Sequence, residues 1–132
     1  MDVQVLVSPG ELFDKLSILQ IKIGKFGELG QLDKARHCQQ HYAKLAMVAD
    51  QAKMELRFNS ELHALYRQLR SVNENLWLHE EKIRNANPDV VTHARAIVEL
   101  NDRRASLKRA IDQLMGSEIT DMKSHTLPEV VP

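Results

Sequence analysis

The sequence predicts an all-α protein: an antiparallel bundle of about four helices, with a short N-terminal arm and a polar C-terminal tail. Three observations predict it. Apolar residues recur at three- and four-residue spacing along most of the chain. Serine, asparagine, glycine and proline fall where such runs should start and stop. No alternating, β-branched segment bounded by turns occurs beyond Val3, Val5 and Val7, which read as an extended arm. At 132 residues the chain has a one-domain length, organised as an arm over 1–7, a bundle over 8–116 and a tail over 117–132.

The first helix has the clearest start. Ser8 can cap it, Pro9 suits its first position, and Glu11 can reach back to the cap. Leu12, Leu16, Leu19, Ile23 and Phe26 form its stripe, and Phe13, Ile18 and Ile21 widen the apolar surface. This helix is therefore expected to be covered on more than one side, inside the bundle or in a subunit contact. Gly24, Gly27 and Gly30 mark its end and the turn. A second helix begins near 31–33, with Leu32, Ala35, Cys38, Tyr42, Leu45, Ala49, Ala52 and Leu56 on one side. Phe58, Asn59 and Ser60 offer a modest break. A third carries Leu62, Leu65, Leu69, Val72, Leu76 and Ile83, and stops before Pro88, because the residue preceding a proline avoids helical geometry. Asn87 then caps a fourth helix with Pro88 at its first position. That helix has the stripe Ile97, Leu100, Leu107, Ile111 and Leu114, and Gly116 closes it.

Composition excludes several classes of function. Lysine plus arginine number 18 and aspartate plus glutamate 18, so no long-range attraction to nucleic acid is expected. One tryptophan, two tyrosines and three phenylalanines leave few rings for base stacking. No apolar run approaches the ~18 residues of a membrane span, and the first residues lack the pattern of a signal peptide. Membrane insertion is not expected, and with the single Cys38 the expectation is a cytoplasmic protein.

Candidate chemistry gathers on the last two helices. With their turn centred between 86 and 87, residues whose numbers sum to about 173 lie side by side. Asn73 then faces Leu100 and Asn101, Trp77 faces Ala96, and Glu80 faces His93. Asn73 and Asn101 are either a pair of hydrogen-bonding groups for a ligand or an inter-helix register bond. Arg104 stands where the fourth stripe wants an apolar residue, so it must be paired, snorkel, or face a cleft. With Arg103, Lys108, Arg109 and Arg70 it suggests an anion-binding groove. The alternative is a solvated basic face paired with Glu99, Asp102 and Asp112. Glu80 and Glu81 begin the first half, and Glu99 and Asp102 match the second half, of a magnesium motif of helical nucleotide pyrophosphohydrolases. Arg84, however, takes the third acidic position, and the halves lie roughly 11 to 14 Å apart along the axis. His37 and His41 are four apart but lack a third ligand. No metal, no cofactor and no nucleophile are expected.

Three segments carry a resemblance. They are Ser8-Pro9-Gly10-Glu11-Leu12-Phe13-Asp14-Lys15, then Asn73 through Trp77 to Glu80 and Ile83-Arg84, and Asn101-Asp102-Arg103-Arg104-Ala105 running to Arg109 and Gly116. Together they resemble a family of small bacterial all-helical proteins of unknown function, over residues 8 to 124. The chain departs from that pattern at Leu78, where an acidic residue is expected after the tryptophan. The resemblance implies one site built from Asp14, Lys15, Asn73, Trp77, Glu80, Arg84, Asn101, Asp102, Arg103 and Arg104. The expected function is a non-enzymatic, self-associating binding or assembly module, a homo-oligomer with a possible protein partner. The alternative is an enzyme or binder for a small phosphorylated or carboxylated metabolite, such as a nucleotide or nucleotide sugar, held by Asn73, Trp77, Asn101 and Arg104.

Overall fold

The computed structural model of the chain describes residues 1–117, and among them are four α-helices: α1 Pro9–Glu28, α2 Leu32–Gln51, α3 Ser60–Arg84 and α4 Val90–Leu114, with a 3-10 turn at Leu56–Phe58. Among the described residues there is no strand, and residues 1–7 are exposed and carry no helix. Past Ser117, the predicted tail lies outside the described residues. No helix among them is long and apolar enough to cross a membrane.

Side-chain caps account for two of the four helix starts. Ser8 caps α1, its hydroxyl accepting from the Glu11 amide at 3.2 Å. The expected return of the Glu11 carboxylate to the cap does not occur, because that carboxylate turns to Lys108 at 2.7 Å and Lys15 at 3.6 Å. Asn59 caps α3, accepting from the Leu62 amide at 3.0 Å. Asn87 does not cap α4. Its side chain accepts from the Asp89 amide at 2.8 Å, which closes a separate turn through Pro88, and the helix starts at Val90.

The helix ends share one device. At α1, Gly30 takes φ +70°, the Gln31 amide donates to Phe26 O at 2.9 Å and the Gly30 amide to Gly27 O at 3.1 Å. The same left-handed closure ends α2 at Lys53 (φ 59°), α3 at Ala86 (φ 55°) and α4 at Gly116 (φ 67°). Gly24 and Gly27, expected in the turn, lie inside α1 instead. Helix α2 ends at Gln51, ahead of the expected break, because Lys53 turns the chain and the Met54 amide reaches back to Ala49 O at 2.9 Å. Ala52 and Leu56 therefore leave its stripe.

Helix α1 lies against all three others, α3 and α4 pair along their length, and α2 runs beside α1, with Tyr42 reaching Tyr66 of α3. The core gathers Leu12, Phe13 and Leu16 from α1, Leu62, Tyr66, Leu69, Val72 and Leu76 from α3, and Leu107 and Ile111 from α4. Phe13 meets the Tyr66 ring edge to face, with centroids 5.8 Å apart. The broad apolar surface of α1 is thus covered within one molecule, which removes it as a ground for a subunit contact. From 77 to 106 no residue is buried, so the far end of the α3–α4 hairpin runs beyond the core as a two-helix projection. Its register is one residue from expectation: His79, not Glu80, meets His93.

Candidate functional site

Asp14 is the centre of the polar structure. It lies one turn into α1, and its side chain is 1% exposed between α3 and α4. A buried carboxylate must be neutralised and hydrogen-bonded, and the neighbouring helices do both. Arg104 of α4 grips it with Nε to Oδ1 at 2.9 Å and a terminal nitrogen to Oδ2 at 2.5 Å. Asn73 of α3 donates to Oδ1 at 2.9 Å and to the Ser17 hydroxyl at 2.7 Å, and Ser17 donates on to Asp14 O at 2.7 Å. Lys108 stands 4.0 Å from Oδ2 while it pairs with Glu11. The hydrogen bonds to Asp14 hold the Arg104 guanidinium above its ordinary pKa. Burial opposes them, and the Asp14, Glu11 and Glu80 charges add to them.

One turn away the N-terminus of α1 meets the last turn of α4. The Gly10 amide, which has no partner within its own helix, donates to Asp112 Oδ1 at 2.7 Å. Asp112 is fully buried, and its charge faces the positive end of the α1 dipole. A Cβ at residue 10 would stand 2.3 Å from Lys108 O and 2.9 Å from Asp112 Oδ1, so only glycine allows this approach.

The ten residues expected to form one site separate into three groups. Asp14, Asn73 and Arg104 converge, but on one another. Trp77, Glu80 and Arg84 line a cleft of about 380 Å³ between α1 and α3, shared with Asn73, Glu81, Ile18, Ile21 and Lys22. The indole N–H of Trp77 is turned inward and meets no acceptor. Lys15, Asn101, Asp102 and Arg103 are exposed, Lys15 pairing with Glu11 across one turn. Asn101 is not the partner of Asn73, whose amide is taken by α1, and Asp112 is no surface partner of Arg104. A larger depression of about 500 Å³, edged by Gln20, Tyr42, Arg70 and Glu74, holds none of the ten. Among the described residues no three His, Cys, Asp or Glu side chains gather as a metal site.

Gly10, Glu11, Ser17 and Asp112 belong to the network but not to the ten residues expected from the sequence. Glycine second in a helix, where its flexibility costs stability, was the one available signal of a close approach. No protein-family model, curated protein or solved structure matches the chain.

Proposed function

We propose that the protein is a non-enzymatic binding and assembly module that pairs with a second copy of itself. The observation that carries this is the closure of the polar network. The carboxylate and guanidinium that a catalytic or anion-binding centre would need, Asp14 and Arg104, neutralise each other behind a 1% exposed side chain. Apolar surface is instead available on the two-helix projection, where Leu78, Val90, Val91 and Val98 are 43%, 42%, 65% and 61% exposed. Val91, Ala94 and Val98 share one face of α4 at helical spacing, and these small side chains permit close approach of a like helix. Equal numbers of acidic and basic residues leave no net repulsion between copies. Sedimentation velocity over a concentration series tests the proposal. The unaltered chain is expected to move from monomer to dimer, and a Val91→Glu/Val98→Glu chain to stay monomeric. A monomer at every concentration rejects self-association.

The Trp77 cleft favours a second function, binding of a small anionic metabolite. Its volume of about 380 Å³ falls in the range of ligand sites, and Lys22 and Arg84 supply cations at its edge. Trp77 is the only tryptophan, so its fluorescence reports on the cleft directly. Titration with phosphate, nucleotides, sugar phosphates and nucleotide sugars is expected to quench it, and Arg84→Ala to abolish the change. An unaltered emission across the series rejects this function.

A further inference from the structure

The depression of about 500 Å³ lies along α1, with Gln39 and Tyr42 of α2 and Arg70 and Glu74 of α3 at its edges. It shares only Ile21 with the Trp77 cleft. One of its polar groups is held in a set orientation. The buried Tyr66 phenol, 4% exposed, donates to Gln20 Oε1, so the N–H groups of that amide are left to face the opening. The Arg70 guanidinium stands within electrostatic reach of the same phenol, which brings its donors near those of Gln20.

Four charged side chains line this space: Lys25 and Glu28 on α1, Arg70 and Glu74 on α3. Each pair is three or four residues apart, the spacing at which opposite charges on a helix join. Among the described residues, none of the four is in an ion pair. A ligand of one sign would be repelled by half of them, whereas a ligand carrying both signs is matched by all. Gly24 adds a second, independent observation. It lies inside α1, where glycine costs stability relative to alanine. No close approach requires it, because a Cβ there would meet nothing within 4 Å. What its missing side chain leaves is open space in the wall of the depression.

We propose that this depression binds a small zwitterion of the α-amino-acid class, with a carboxylate and an ammonium on one carbon. Arg70 takes the carboxylate through two parallel hydrogen bonds, and the Gln20 amide donates a third. Glu74, one turn along α3, takes the ammonium. The ligand's own side chain extends over Gly24 toward Lys25 and Glu28, along roughly 12 Å of α1 at ~1.5 Å per residue. The volume of about 500 Å³ is in the range of small-molecule sites.

Isothermal titration calorimetry with free leucine, glutamine, glutamate and lysine tests the site. At least one is expected to give saturable heat. Its N-acetyl and α-amide forms, each stripped of one charge, are expected to bind at least about tenfold more weakly, and so is the free form to Arg70→Gln. Gly24→Leu separates binding from folding. Its thermal melt is expected no lower than that of the unaltered chain, because the new side chain enters open space, yet its binding is lost. No saturable heat from any of the four, capped forms that bind as tightly as the free one, or a folded Gly24→Leu chain with undiminished binding overturns the site.

Discussion

Replacing Arg104 by alanine removes the nearest countercharge of the Asp14 carboxylate, 1% exposed, and leaves only Lys108 at 4.0 Å. The expected loss is about 3 kcal/mol, at the lower end for a broken buried pair because the guanidinium is itself 30% exposed and partly screened. Urea unfolding measures it, and a joint Asp14→Leu/Arg104→Met chain should recover most of the loss. Asn73→Leu is expected to cost about 1–2 kcal/mol, not to stabilise, since it removes donors to both Asp14 and Ser17. Tyr66 makes alkaline pH destabilising. Burial first, then Tyr42, raises its phenol above the ordinary 10.0, so above that pH the unfolded chain releases a proton that the folded chain keeps. Stability is therefore expected to be level below pH 10 on this account and to fall above it. Tyr66→Phe should remove that slope from melts run across the range. At this scale the sequence was half legible. Arg104 stood out because a guanidinium interrupts an apolar stripe. Its partner did not, because Asp14 lies 90 residues away and reads locally as an ordinary polar position early in a helix.

Helix starts were legible where a side chain acts within its own turn, as Ser8 and Asn59 do. Helix ends were legible at Gly30 and Gly116 but not at Lys53 and Ala86, because nothing in lysine or alanine announces a left-handed backbone. That difference yields opposite outcomes for like substitutions. Gly10→Ala drives a Cβ to within 2.3 Å of Lys108 O and is expected to cost about 2 kcal/mol or more. Gly24→Ala meets nothing within 4 Å inside α1 and is expected to stabilise by about 0.5–1 kcal/mol. Ala86→Gly, which relieves a φ of 55°, should stabilise by roughly 0.5 kcal/mol or more. Thermal melts of the three chains give the signs directly.

Across the whole molecule, four helices followed from periodicity, while the central place of α1 did not. Its wide apolar surface fitted an interior helix and a subunit contact equally well, and only the positions of α2, α3 and α4 around it decide for the interior. The same arrangement divides the molecule by stability. Amides of α3 near Leu62–Leu76 are expected to exchange slowly and those of 78–98, where no side chain is buried, much faster. Hydrogen exchange read residue by residue checks this, and equal protection of the two stretches would contradict the division.

The tie between Gly10 and Asp112 spans 102 residues, and it reaches beyond stability. A ribosome delivers a chain in one direction, so α1 emerges before all three helices that cover it, and α4 is the last of the three. Until α4 clears the exit tunnel, Leu12, Phe13 and Leu16 have only part of their final surroundings, and Asp14 has no Arg104. The nascent chain must wait with its most apolar helix incompletely covered, which makes α1 the segment a chaperone would hold during synthesis.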